Sequence, residues 1–149
     1  MLKGVHPVLS PDLLLAIARM GHGDEIVIAD ANFPSASMGP EMIRADGVSA
    51  TDMAEAILTH FPLDTFVPES AWRMEVVGDA AAVPEVCAEF QAIVDRKAGD
   101  SFRIATLERF AFYERSRKAA YIVATTEFRL YGNLILKKGV VLPEEVYRG

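Results

Sequence analysis

The chain has 149 residues, 51% of them hydrophobic and 24% charged, with a formal net charge of -6 and one cysteine. That length fits a single domain, residues 1–149, which buries a continuous core without disulfides or a structural metal. The acidic balance repels a phosphate backbone and no stretch approaches the roughly 20 apolar residues of a membrane span, so nucleic acid and membrane are excluded as partners and a cytoplasmic location is expected.

Ser10-Pro11-Asp12 predicts a helix start, with a capping hydroxyl, a proline at the first helical position and a carboxylate at the positive end of the dipole. Leu13, Leu14, Ile17 and Ala18 follow at helical spacing until Gly21. Glu25 to Ala29 reads as a buried strand, and Asp30 to Pro40, with its prolines and Gly39, as a loop. A long loop at the end of a strand is a place where binding groups collect.

Ser49 or Thr51 caps a second helix that carries Met53, Ala54, Ile57 and Leu58 to about His60. Trp72 to Val77 alternates like a strand with one covered face. Pro84 opens a third helix, whose stripe of Val86, Phe90, Ile93 and Val94 ends before Gly99. Cys87 within it reads as a small core hydrophobe, since no basic cluster activates it. Phe102 to Ala105 is a strand preceding a helix from about Glu108 to Arg117, and Tyr121 to Thr125 and Leu134 to Leu136 are the closing strands. Strands alternating with helices predict a layered α/β domain with helices on both faces of its sheet.

Four segments carry polar groups suited to chemistry. His22 stands between Gly21 and Gly23 where a helix gives way to a strand. The negative end of the helix dipole favours its protonated form there and suits it to proton transfer, although the same position suits a helix cap. Asp30 ends the first strand, where open α/β sheets place ligand-binding side chains, or else closes the strand with an Asx-turn. Glu108 to Arg115 combines Arg109 with Phe110, Phe112 and Tyr113: a guanidinium forks onto vicinal hydroxyls and aromatic faces cover the C–H side of a pyranose, but the same aromatics could form a core stripe. Tyr131-Gly132-Asn133 offers a phenol and a carboxamide around a flexible backbone, and equally reads as a turn.

A metal centre from His22, Asp24, Glu25 and Asp30 lacks any two-histidine spacing or facial triad, and no metal or cofactor is expected. The chain has no nucleophile elbow, P-loop or dinucleotide fingerprint, which argues against serine hydrolysis, phosphoryl transfer and redox chemistry.

From Pro11 to Gly139 the chain resembles the fucose mutarotase branch of the ribose pyranase and fucose mutarotase family. The resemblance rests on six motifs in order. They are Met20-Gly21-His22-Gly23-Asp24-Glu25, Asp30-Ala31-Asn32-Phe33-Pro34, Ser37-Met38-Gly39-Pro40, Ile43-Arg44-Ala45-Asp46-Gly47, Arg109-Phe110-Ala111-Phe112-Tyr113-Glu114-Arg115, and Tyr131-Gly132-Asn133-Leu134-Ile135-Leu136-Lys137-Lys138-Gly139. It implies a ribose pyranase-like, three-layer α/β/α domain with a mixed, mostly parallel sheet. It implies His22 as the acid/base group, and Asp30, Arg109, Tyr131, Gly132 and Asn133 as sugar contacts. It also implies a homo-oligomeric ring, of the decamer kind, with sites near subunit interfaces. Gly23-Asp24-Glu25 follows the fucose pattern, favouring L-fucose or a related 6-deoxyhexose over D-ribose, while Leu142 to Gly149 extends past the usual end.

The implied reaction is exchange of a sugar's anomers without cofactor. A proton leaves the anomeric hydroxyl and one reaches the ring oxygen, giving an open-chain aldehyde that recloses on either face. This requires an accessible His22 ring sharing a cavity with Asp30. The alternatives are a D-ribose pyranase and a non-catalytic sugar-binding accessory protein.

Overall fold

The computed structural model describes residues 1–146; of the Leu142 to Gly149 extension, residues 147–149 lie outside the described part. Helix α1 (Pro11–Arg19) begins where expected: Ser10 Oγ accepts the Leu13 N–H and Pro11 occupies the first turn. Strand β1 (Glu25–Ala29) follows, then a single 3-10 turn at Ser35–Ser37 and strand β2 (Glu41–Ala45). Ser49, rather than Thr51, caps helix α2 (Ala50–Leu58), and strand β3 (Ala71–Met74) comes next. Helix α3 (Glu85–Lys97), strand β4 (Ala105–Leu107), helix α4 (Arg109–Arg117), strand β5 (Tyr121–Thr125), strand β6 (Leu134–Lys137) and the short helix α5 (Pro143–Val146) complete the chain.

The strands form one six-stranded sheet in the order β2-β5-β1-β6-β3-β4. Neighbours pair in parallel except around β6, which is antiparallel to both β1 and β3. The sheet is therefore mixed and mostly parallel. Each central strand buries both faces, and the alternation of its side chains divides the core in two. Ile26, Ile28, Val123, Leu134 and Leu136 pack against α1, α2 and α3, whereas Val27, Ala29, Trp72, Met74, Ile122 and Ile135 pack on the other face, where Phe112 of α4 joins Phe33 and Met38. This is the expected three-layer arrangement, and Cys87 is buried in the larger layer as a core residue.

Three local readings change. The sequence gives no strand between Pro40 and Ser49, yet β2 pairs there with β5 at the sheet edge; with only Ile43 fully buried, it has no apolar run to announce it. The strand expected at Phe102 to Ala105 starts at Ala105, because the Gln91 side chain takes both the Phe102 carbonyl (2.9 Å) and the Ile104 N–H (2.9 Å). Strand β3 stops at Met74 rather than Val77, whose N–H is instead donated to the Tyr131 hydroxyl at 3.1 Å.

Candidate functional site

Parallel β1 and β5 deliver their carboxyl ends to one edge of the sheet, and Asp30 is the first residue beyond β1 there. Its side chain is 6% exposed, and both carboxylate oxygens accept hydrogen bonds. Oδ1 accepts the Asn32 N–H at 3.0 Å, which is the Asx-turn, and Oδ2 accepts Asn133 Nδ2 at 2.9 Å. Asn133 completes the exchange, its Oδ1 accepting the Asp30 N–H at 2.8 Å. The turn and the ligand-facing position are thus compatible, since each carboxylate oxygen keeps a further lone pair. Burial raises the carboxyl above the ordinary aspartate range and the nearby Glu127 charge adds to this, against the hydrogen bonds from Asn32, Asn133 and Phe33.

Asp30 lines a cavity of about 200 Å³ together with Arg109, Tyr113, Tyr131 and Asn133, walled by Phe33, Met74 and Leu130. Arg109 reaches it from the first residue of α4, whose N-terminus is capped by Glu108 through the Phe110 and Ala111 N–H groups. The guanidinium lies 4.7 Å from the Phe110 ring centre, and that ring is 61% exposed; the core aromatic of the helix is Phe112. Tyr113 stands edge-on to Phe33 at 5.6 Å and faces the cavity. Tyr131 holds a left-handed backbone, φ 65°, unusual for a bulky residue. The Val77 N–H on its hydroxyl and the Cys87 thiol on its carbonyl, at 3.5 Å, hold it there.

Gly132 lies between two of the cavity's residues, Tyr131 and Asn133. It does not line the cavity, and a Cβ on it would fall 2.6 Å from Glu127 Cγ and 3.2 Å from the Arg129 carbonyl. The glycine lets the backbone lie against a buried glutamate, which seats Tyr131 and Asn133 on either side of it.

The cavity expected to hold both His22 and Asp30 is not formed within one chain. His22 precedes β1 as Asp30 follows it, so about 16 Å of extended strand separates them, and the Asp30 cavity does not include His22. The ring is not sealed inside: its side chain is 45% exposed. Nor does it cap α1. Lys138 Nζ does that, donating to the carbonyls of Met20 (2.6 Å) and Ile17 (3.3 Å). Gly23, at φ 89°, donates to the Lys138 carbonyl at 2.8 Å, which turns the chain and leaves the imidazole outside.

One residue escapes the sequence reading altogether. Asp64, 2% exposed, takes His22 Nε2 on its Oδ1 at 3.1 Å and the Phe66 N–H on the same oxygen at 3.0 Å. Burial alone would raise this carboxyl, but the Phe66 N–H and His22 outweigh it and hold Asp64 below the usual range. The Phe66 ring sits 5.4 Å from the imidazole and is 73% exposed. The available signal was a lone carboxylate following Phe61-Pro62-Leu63; nothing periodic links it to His22, forty-two positions away. The arrangement fits general acid/base work: one ring nitrogen is fixed by a buried carboxylate and the other is left accessible.

The family model for the RbsD / FucU transport protein family matches residues 3–141. A fucose mutarotase of Bos taurus is 52% identical over 151 residues, covering 97% of both chains. Among solved structures, the fucose mutarotase from Streptococcus pneumoniae in complex with L-fucose superposes with a TM-score of 0.89 at 46% identity, covering 95% of this chain and 100% of that one. Bacillus subtilis RbsD complexed with D-ribose is more distant, with a TM-score of 0.74 at 25% identity, covering 95% of this chain and 100% of that one.

Proposed function

Because the chain belongs to the RbsD / FucU transport protein family, we propose that it is a sugar mutarotase that interconverts the α and β anomers of L-fucose by acid/base ring opening and closure. The observation that carries this reading is the Asp30 cavity, with its ring of hydroxyl-binding groups on one side and aromatic and apolar walls on the other. Relatives named fucose mutarotase are near half identical over almost the whole chain, whereas the ribose-binding relative is lower in both identity and superposition. L-fucose is therefore favoured over D-ribose.

In this mechanism Asp30 and Arg109 hold sugar hydroxyls and balance charge. Tyr131 already accepts a hydrogen bond from Val77, which leaves its own phenolic proton to donate to the sugar. Asn133 spends its oxygen and one N–H on Asp30, leaving its second N–H for the substrate. Phe33 and Tyr113 cover an apolar face of the ring. His22 moves the proton between the anomeric hydroxyl and the ring oxygen, with Asp64 fixing the imidazole. Neither cofactor nor covalent intermediate is required, and a positioned acid/base group supplies about 10²–10⁴-fold.

Since His22 and Asp30 stand at opposite ends of β1, the histidine serving a given cavity comes from a second copy of the chain. Such a contact joins different surfaces of the two copies, the kind of interface from which a closing rotation builds a ring, in line with a homo-oligomer with sites at its interfaces. Exposed Phe66 beside His22, and exposed Phe110 and Leu130 beside the cavity, supply apolar surface for it. We place the protein in the cytoplasm; no described helix is long and apolar enough to cross a membrane.

Saturation-transfer NMR on L-fucose, with D-ribose run beside it, tests the proposal. Accelerated α/β exchange of L-fucose that is lost in folded His22→Ala is the expected result. Binding without acceleration would replace the enzyme by a sugar-binding accessory protein, and faster exchange of D-ribose would make it a pyranase.

A further inference from the structure

Glu127 is a carboxylate that the mechanism above does not use. It is 2% exposed and lines neither cavity that Asp30 borders, the one of about 200 Å³ or its neighbour of about 420 Å³ beside Ser35 and Arg44. It therefore does not touch a bound sugar. Yet it meets the two segments that carry Asp30 and Asn133. Its carbonyl accepts the Ala31 N–H at 2.8 Å, tying it to the residue after Asp30. Its own N–H is donated to Thr125 Oγ1 (3.2 Å), which in turn donates to the Ala29 carbonyl (2.7 Å) at the end of β1. Its Cγ occupies the place a Cβ on Gly132 would need.

The carboxylate is fastened from two directions. Arg129 grips it with Nε on Oε1 and Nη2 on Oε2, both at 2.9 Å, and adds its backbone N–H at 3.0 Å. Arg129 continues to Glu89 of α3 (2.9 Å), and the Ala50 N–H at the start of α2 also donates to Glu127. A leucine would fill the same volume. It would not hold a guanidinium fork or the α2 N-terminus, and it would place no charge near Asp30.

We propose that Glu127 is a positioning residue, which fixes the Asp30–Asn133 pair by bracing Gly132 and Ala31 from behind and which sets the charge environment of Asp30. The inference rests on Asp30 and Asn133 being the sugar-holding groups. The other charged or titratable groups around Asp30 are Arg109 and Tyr113 from α4, Tyr131 before β6, and Arg44 from β2, which is paired with Asp46. Arg129 is occupied by Glu127 and Glu89, so removing the Glu127 charge leaves it paired with Glu89 alone.

The test is L-fucose anomer exchange by NMR, measured from about pH 4 to pH 9, for Glu127→Gln, Glu127→Asp and Asp30→Asn, with fold and oligomeric state checked for each. Glu127→Gln keeps the shape and loses the charge. Its kcat should fall about tenfold, and the acidic limb of its kcat/KM profile should move to lower pH. Glu127→Asp keeps the charge but withdraws from Gly132, so its limb should stay in place while KM rises about threefold to tenfold. Should Glu127→Gln fail to fold, the KM of Glu127→Asp decides: an unchanged KM and kcat overturn the proposal. A folded Glu127→Gln with wild-type kcat and an unmoved limb also overturns it, leaving Glu127 a merely structural residue. If Asp30→Asn retains full exchange, the functional reading fails first; if Asp30→Asn is inactive while both Glu127 variants behave as wild type, only this inference falls.

Discussion

His22 and Asp30 bracket the same five-residue strand, the imidazole before its first residue and the carboxylate after its last. A strand cannot fold back on itself, so one chain cannot close both onto one sugar. Joined copies can.

Complementation follows directly. His22→Ala and Asp30→Asn should each be nearly inactive alone, and co-assembly at equal amounts should restore about one quarter of wild-type exchange, because that share of interfaces pairs an intact histidine with an intact aspartate. The assay is anomer exchange on mixed oligomers whose composition is verified by native mass. Mixed oligomers that stay inactive would place both groups' work within one copy.

The Asp64 carboxylate holds His22 Nε2 at 3.1 Å and is itself held by the Phe66 N–H. Asp64→Asn keeps the volume but removes the charge that orients the ring. We expect kcat for L-fucose to fall by at least about tenfold with KM little changed, short of the roughly 10²–10⁴-fold loss in His22→Ala. A fall in affinity with unchanged kcat would show that Asp64 serves binding instead.

Gly132→Ala should destabilise the fold by about 1–3 kcal/mol, since the new methyl collides with Glu127 Cγ and approaches the Arg129 carbonyl. Gly21→Ala makes a useful control: like Gly132 it has no positive φ, but the nearest atom to its missing Cβ, Asp24 Oδ2, is 3.8 Å away. Urea unfolding compares the two. Equal losses would show that crowding at Gly132 is not the cause.

Acid stability should divide by residue. Folded Asp64 and Glu127 have carboxyls below their ordinary values of 3.8 and 4.5, so the unfolded chain binds the more protons; their stabilisation is present above those values and is lost as pH falls through the folded pKa. For Glu127 the lowering comes first from Arg129. Asp30 is raised above 3.8 by burial, so the folded chain binds the more protons, and its contribution is present below that value and is lost as pH climbs through the raised one. Unfolding midpoints measured below about pH 5 should therefore fall less steeply with acid in Asp64→Asn than in wild type. Asp30→Asn should fall more steeply. Identical slopes in all three would contradict this account.

The local vocabulary of the fold was legible in the sequence. Ser10-Pro11 and Ser49 mark helix starts because capping is a short-range bond, and β1, β5 and β6 announce themselves because strands buried on both faces must be continuously apolar. The same locality drew attention to Asp30, Arg109, Tyr131 and Asn133, which the fold gathers around one cavity. Edge strand β2, with Ile43 its one fully buried residue, gave no such signal.

Only the tertiary structure decided which of these groups meet. The reciprocal bond between Asp30 and Asn133 spans 103 positions and the one between His22 and Asp64 spans 42, and both depend on sheet order and loop path, which leave no periodic trace in the chain. Gly132 was a turn residue by its type and became a seat for Glu127 through packing alone. The separation of His22 from Asp30 has the same origin, since the rise of an extended strand fixes their distance.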